Sequence, residues 1–306
     1  MFYYSLNNYF KNTFGQKIYK LSLSANVTCP NRDGTIDTRG CIFCSDGGSG
    51  EFATSGNDIT NQIERSKQYV KTKIKDGKYI AYFQSFTNTY APIEYLKSIF
   101  TQAIYHKDIV GLSIGTRPDC LGDDVINLLN ELNKIKPVFV ELGFQTSNED
   151  TAKYIRRGYN NDCYIKAVKD LKNIGINVVT HLIIGLPFET RYDILHSVDF
   201  VSKQQTDGIK LHLLHVLKNT DLAKEYENGV FKTLEMNEYI DLICDCILIL
   251  PQNIVIHRLT GDGAKNLLIS PTWSADKKRV LNRMNKTFTD RNIIQGSKKI
   301  EDLLKN

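Results

Sequence analysis

Residues 109–144 read IVGLSIGTRPDCLGDDVINLLNELNKIKPVFVELGF, and their pattern decides the fold. Ile109–Ile114 is a short apolar run of the kind that forms a strand buried on both faces. Asp123–Lys134 places Val125, Ile126, Leu128, Leu129 and Leu132 at helical spacing. Val138–Phe144 is a second buried strand. A strand, a helix and a strand in this order make a crossover unit with parallel strands. The same unit recurs on both sides. Strands are predicted at Lys17–Ser24, Tyr79–Phe86, Ile176–Ile184, Gly208–Val216 and Ile254–Arg258. Helices are predicted at Ile59–Lys75, Ile93–Tyr105, Asp150–Ile155, Asp162–Asn173, Arg191–Lys203 and Met236–Leu250.

Six or seven such units on one chain predict an α/β fold, a (β/α) barrel, full or partial. An open dinucleotide-binding sheet is disfavoured because no Gly-x-Gly-x-x-Gly opens the first crossover. No linker rich in Pro, Gly or Ser divides the chain. One catalytic core over residues 17–260 is therefore expected, with an N-terminal extension over 1–16 and a basic helical extension over 261–306.

The chain has 306 residues, of which 42% are hydrophobic and 24% charged, enough to bury a large core. No 18-residue apolar run is present, so no transmembrane helix is expected. The first residues lack the basic-then-apolar order of a secretory signal. Seven cysteines in a chain of this size point to reduced thiols and a cytoplasmic protein. The net charge of +5 is mild. Its distribution is uneven, because Lys277, Lys278, Arg279, Arg283, Lys286, Arg291, Lys298 and Lys299 crowd the C-terminal segment. That run is either a solvated helix face or a phosphate-contacting patch.

Three of the cysteines stand together, Cys29, Cys41 and Cys44, in CPNRDGTIDTRGCIFC. Three thiolates are one short of a filled zinc site or of an ordinary iron–sulfur cluster. They suit a [4Fe–4S] cluster with one iron left open. The alternative is zinc with a distant fourth ligand, His106 or Cys120 being the nearest candidates. In a barrel the loops after the strands gather on one face, and the cysteine loop follows the first strand.

A three-cysteine loop after the first strand of a partial (β/α)6 barrel resembles the radical S-adenosylmethionine (radical SAM) superfamily. Its commonest motif, Cys-x3-Cys-x2-Cys, is not met, since the first gap here is eleven residues. The long gap is similar to the group around the Elongator catalytic subunit. The stretches GTRPDCL (115–121), VELGFQTSNEDT (140–151), HLIIGLPFET (181–190), LHLLHVLKNTDLA (211–223) and IHRLTGDG (256–263) look like that group's landmarks. YFQSFTNTYAP (82–92) and RLTGDGAKNLLISPTW (258–273) resemble, more narrowly, the small bacterial YhcC/YtqA-like family.

The resemblance implies that Cys29, Cys41 and Cys44 hold the cluster, and that S-adenosylmethionine binds its open iron and yields a 5′-deoxyadenosyl radical on one-electron reduction. It implies further that Phe43 packs on adenine and that Gln84 and Asn88 stand where the methionine amino group is met. In this chain no carboxylate occupies that place. Gln145 falls at the ribose-contacting position and Arg157 at the methionine carboxylate. Gly185 permits close approach to adenine, and Leu214 and His215 offer backbone bonds to it. Glu141 is expected to point into the barrel and pair with a base. Arg117, Asp119, Arg258 and Asp262 are candidates for the substrate pocket. His181 and His212 are expected on strands near the active face, and Cys120, Cys163, Cys244 and Cys246 as packing residues. The implied substrate is tRNA, at the side chain of a wobble uridine, with flavodoxin or ferredoxin as electron donor. The other readings are a small metabolite such as a porphyrinogen, or a zinc-stabilised nucleic-acid-binding module without catalysis.

Overall fold

The structure is a computed structural model that describes residues 2–48, 53–56, 58–72, 77–261 and 263–305. In chain order it runs α1 (Leu6–Phe14), β1 (Ile18–Leu23), α2 (Ile59–Val70), β2 (Lys78–Phe83), α3 (Ile93–Tyr105), β3 (Ile109–Thr116), α4 (Asp123–Asn133) and β4 (Val138–Gln145). It continues with α5 (Glu149–Tyr154), α6 (Asn161–Asn173), β5 (Asn177–Ile184), α7 (Arg191–Lys203), β6 (Gly208–Leu213), β7 (Val216–Leu217) and α8 (Asp221–Glu227). The last elements are α9 (Met236–Ile249), β8 (Val255–Arg258), β9 (Leu268–Ser270), α10 (Lys277–Asp290) and α11 (Ile300–Leu304).

Seven parallel strands make one sheet in the order β1-β2-β3-β4-β5-β6-β8. Each neighbour is the next strand in the chain, apart from the short β7. This is the curled, open sheet of a partial barrel, with β8, the last strand predicted from the sequence, as a seventh beside the six of a (β/α)6 barrel. Three boundaries differ from the sequence-based expectation. The run Gly208–Val216 is broken, because β6 stops at Leu213 and Val216–Leu217 pairs antiparallel with Leu268–Ser270. The strand expected to reach Phe86 ends at Phe83, where the chain bends, and Phe86 adopts a left-handed φ of 59°. Helix α2 ends at Val70, and residues 73–75 of its expected continuation to Lys75 lie outside the described residues.

Period-two alternation sorts each strand into two faces. Leu21, Leu23, Ala81, Phe83, Leu112, Ile114, Val140, Leu142, Leu182 and Leu211 face the surrounding helices and form the main core. The concave face is layered differently. At its lower end Ile18, Ile80, Phe139 and Val179 form a separate apolar cluster, closed by Phe10 from α1. Above that layer the inward positions turn polar, with Lys20, Tyr82, Ser113, Glu141, His181 and Lys210. The barrel is thus sealed at one end and open at the end where the strands' C-termini and the cysteine loop lie.

Candidate active site

The cysteine loop leaves β1 and is held in place by its own side chains. The Asn31 amide donates to the Arg156 carbonyl at 2.7 Å and to Cys41 Sγ at 3.5 Å. The Arg32 guanidinium donates to the carbonyls of Cys44 (2.9 Å) and Ser45 (2.5 Å) and lies over the Phe86 ring at 5.6 Å. Backbone bonds from Ile42 to Ile155 and from Leu222 to Ile42 fasten the middle of the loop to the helices beyond β4 and β7. Gly48 touches the end of β2 so closely that a Cβ there would lie 2.5 Å from the Phe86 ring.

Cys29, Cys41 and Cys44 are half-buried and line a cavity of about 1310 Å3. That exceeds the roughly 300–1,000 Å3 of ordinary small-ligand pockets. It leaves room for a nucleoside-sized cofactor and a second molecule. Among the described residues, the one group of three metal-ligating atoms within 4.8 Å of one another is Glu64, His106 and Asp108, away from the cysteines. The three sulfurs are therefore spread wider than a tetrahedral zinc site with bonds of about 2.3 Å allows. A cluster that gives each thiolate its own iron matches the wider spread. His106, once a candidate fourth ligand, pairs with Glu64 at 3.2 Å instead. Cys120 contacts Asp119 on the open rim. Burial pushes the Cys44 thiol up to about 12, so its deprotonation calls for the positive charge of bound metal. The donor set and the space fit an iron–sulfur cluster with a bound cofactor.

The remaining sequence-predicted residues divide sharply. Phe43, Gln84, Gln145, Leu214, His215, Arg117 and Arg258 line the same cavity as the cysteines. Phe43 also packs against the small core of Ile42, Ile155, Leu186 and Leu214. Gln84 Oε1 accepts from the Ser22 hydroxyl at 3.1 Å. His215 is held by Ser274 at 3.1 Å, and a Cβ on Gly261 would come within 2.9 Å of its ring. Asp262, beside that glycine, lies outside the described residues.

Four residues do not meet the expectation placed on them. Arg157 reaches the cavity wall but has no donor left for a cofactor carboxylate. Its five N–H groups serve the carbonyls of Phe144, Thr146 and Tyr159 and the side chains of Glu149 and Asn161. Its plane is sandwiched by Phe144 and Tyr159 at 4.9 and 4.7 Å. Asn88 is fully buried off the cavity, where its amide donates to the carbonyls of Phe83 and Gly115 and ties β2 to β3. Gly185 opens a different, smaller pocket. Its φ of 90° and the Leu234 side chain, 2.8 Å from where a Cβ would sit, explain the glycine. Asp119 is off the wall and grips Arg117 through two bonds of 2.9 and 2.6 Å, which neutralises that arginine.

The structure also assembles a cluster that motif reading missed in part. Glu141, fully buried on β4, accepts from Lys20 of β1 at 2.5 Å, from Ser113 of β3 at 2.5 Å and from His181 of β5 at 2.7 Å. Lys210 of β6 closes the set on the other carboxylate oxygen. Glu141 thus pairs with bases inside the barrel, as its position suggested. Burial alone would raise its carboxyl, but Lys20, Lys210 and His181 hold it well below the usual carboxylate range. Lys20 and Lys210 carried a readable signal, a lysine at the inward phase of a strand whose outward residues are apolar.

The chain belongs to the radical SAM superfamily. The family pattern described as Radical SAM superfamily matches residues 35–201, and that of the Radical SAM C-terminal domain matches residues 206–290. The protein is accordingly a radical SAM enzyme. It is 45% identical to YtqA of Bacillus subtilis (strain 168), across 96% of this chain and 92% of that protein. It is 29% identical to the tRNA uridine(34) acetyltransferase of Methanocaldococcus jannaschii, over 52% of this chain and 30% of the relative. Among solved structures, the archaeal Methanocaldococcus infernus Elp3 with an N-terminal deletion superposes with a TM-score of 0.69 at 19% identity. That match covers 91% of this chain and 64% of the other, and it shows the shared fold. No helix among the described residues is long and apolar enough to cross a membrane.

Proposed function

We propose that this enzyme acts on tRNA, converting a carboxymethylaminomethyl group at C5 of the wobble uridine to aminomethyl. The observation that carries the reading is the charge of the cavity wall. Eight basic side chains line it against two acidic ones, Glu141 and Asp276, and of the eight Arg117 and Arg157 are already paired with Asp119 and Glu149 behind the wall. Three of the eight, Lys265, Lys277 and Lys278, come from the segment after β8, which makes the wall continuous with the basic C-terminal helix α10. A polyanion meeting that rim leaves a side chain free to enter the barrel. A base must leave its stack to reach such a site, and a loop nucleotide does so at low cost. The partial relative named for uridine 34 of tRNA points the same way.

In this reading Cys29, Cys41 and Cys44 hold a [4Fe–4S] cluster, and Phe43, Gln84, Gln145, Leu214 and His215 border the S-adenosylmethionine. When bound, that pair would supply a carbon radical able to take a hydrogen atom from the carboxymethyl carbon beside the substrate's amine. The two-carbon fragment would then leave as glyoxylate, its second electron passing to the electron carrier and its new oxygen coming from water, with the nitrogen kept as the aminomethyl group. Asn31 and Arg32 hold the ligand loop, while the sealed barrel end excludes water from below. The electron enters from a flavodoxin or ferredoxin.

The test has two parts. Anaerobically reconstituted protein should carry about four irons and four sulfides per chain, release 5′-deoxyadenosine and methionine with dithionite, and lose both on replacement of any of the three cysteines by Ala. Total tRNA from cells lacking the gene should then accumulate the carboxymethylaminomethyl nucleoside. Stoichiometric zinc without iron would sink the cofactor assignment, and unchanged wobble uridines would sink the substrate.

A further inference from the structure

The eleven-residue gap between Cys29 and Cys41 is longer than cluster ligation needs, since two residues suffice between Cys41 and Cys44. Its middle faces solvent, with Asp33, Gly34, Thr35, Ile36, Thr38 and Arg39 exposed. Its base is folded back on itself by three backbone bonds. The Arg32 N–H donates to the Cys29 carbonyl at 2.8 Å, the Ile36 N–H to that of Pro30 at 2.8 Å, and the Gly40 N–H to that of Asn31 at 2.7 Å. The fold-back tucks one polar side chain beneath the loop. That side chain is Asn31, 1% exposed.

The Asn31 amide nitrogen faces acceptors only. It donates to the Arg156 carbonyl at 2.7 Å, to the Arg157 carbonyl at 3.4 Å and to Cys41 Sγ at 3.5 Å. The amide is therefore fixed one way round, because the reverse would set its oxygen against two carbonyls. That orientation is costly. Oδ1 is buried and has no hydrogen-bond partner among the described residues, and an unmade buried bond opposes folding. Space is kept for this oxygen, since a Cβ on Gly158 would lie 2.8 Å from it. An amide held in place against that cost is held for the bonds of its nitrogen, and one of those bonds ends on a cluster ligand.

Reducing an iron–sulfur cluster adds negative charge, which strengthens any N–H bond aimed at its sulfurs and raises the potential. The amide has no titratable proton and stays a donor at every pH. The Cys41 thiol proton, which faces the Arg156 carbonyl at 3.6 Å, leaves when metal binds. We propose that Asn31 sets how readily the cluster accepts its electron, by donating to the Cys41 sulfur, and that the eleven-residue gap serves to bring the amide there. Asn31 touches no reacting atom. It is a positioning residue that acts through Cys41, while Arg32, next in the chain, holds the carbonyls of Cys44 and Ser45. The proposal rests on the cluster reading and is independent of the substrate.

The test uses the full chain, reconstituted anaerobically and titrated reductively while the paramagnetic resonance of the reduced cluster is recorded. Asn31→Leu is close in volume and cannot donate. At the wild-type midpoint its ratio of reduced to oxidised cluster should fall about tenfold, a downward shift of about 59 mV for one electron, with iron content unchanged. A loosened loop could also move a potential, so a second measurement reads the bond itself. Wild-type protein made with asparagine labelled with nitrogen-15 only at the side-chain amide should show a nitrogen-15 coupling to the reduced cluster in pulsed resonance. Arg32→Met, which loosens the same loop and leaves Asn31 in place, should keep that coupling, and Asn31→Leu should lose it. If Asn31→Leu fails to fold, the labelled wild type still decides. No coupling in the wild type, a coupling that persists in Asn31→Leu, or a ratio in that variant that moves less than about twofold would overturn the proposal while iron and sulfide content uphold the cluster. Stoichiometric zinc without iron would overturn the cluster reading and this proposal together.

Discussion

At the scale of single residues, the site separates side chains that face ligands from side chains that hold the walls. Arg157 belongs to the second kind, with five donors occupied and both faces stacked. Arg157→Lys cannot reproduce a planar fork and leaves buried carbonyls unpaired, each costing about 1–3 kcal/mol. We expect unfolding in urea to show a loss of about 3 kcal/mol or more, with S-adenosylmethionine affinity unchanged in the folded fraction. Wild-type stability with weakened cofactor binding would return Arg157 to the cofactor. Glu141 is the opposite case, a buried charge kept ionised by its neighbours. An acid with a depressed folded pKa contributes stability above its unfolded value of about 4.3. That contribution is lost as pH falls through the folded value. Glu141→Gln strands Lys20 and Lys210, so we expect a cost of about 3–5 kcal/mol at pH 7. The cost should shrink well below pH 4, where the wild type is itself protonated. A penalty that stays constant down to the acid transition would show that Glu141 is neutral in the folded protein.

Among the elements, α1 is the one whose role was least legible in advance. Its apolar side chains, Leu6, Tyr9, Phe10 and Phe14, span barely two turns, too short a pattern to announce a helix. Their meaning appears only when the barrel's lower end is assembled, where Phe10 meets Ile18, Ile80, Phe139 and Val179. Phe10→Ala removes that plug, and equilibrium unfolding should register a loss of about 3–5 kcal/mol; a loss below about 1 kcal/mol would mean the barrel end closes without it. The parallel strands were readable because both of their faces are covered, so that runs such as Val138–Val140 and Val178–Thr180 need no polar edge. The β7–β9 ribbon was not, since strands of two and three residues are set by the partner they find. The cysteine spacing could be read from local sequence. The Lys20–Glu141–Lys210 layer could not, because it joins residues up to 190 positions apart through register alone.

For the whole molecule, the decisive fact is that one cavity runs from the cysteines to the start of α10. A mild net charge of +5 understates the local field, because the cavity wall carries eight basic side chains against two acidic ones. Binding of a folded RNA to such a rim releases counterions, so its affinity should fall linearly with the logarithm of salt concentration. Lys277 and Lys278 open α10, and the first turn of that helix carries no acid. Each lysine that contacts a phosphate should contribute about one unit to the slope. Replacing both with Gln should flatten the slope by about two units in filter-binding measurements with unmodified tRNA. Iron content and dithionite-driven cleavage of S-adenosylmethionine should survive, because neither lysine belongs to the cysteine loop or its supports. If the slope is already near zero in the wild type, or is unchanged in the double variant, the rim does not grip phosphates. The lysines of the wall would then serve a small anion that enters alone.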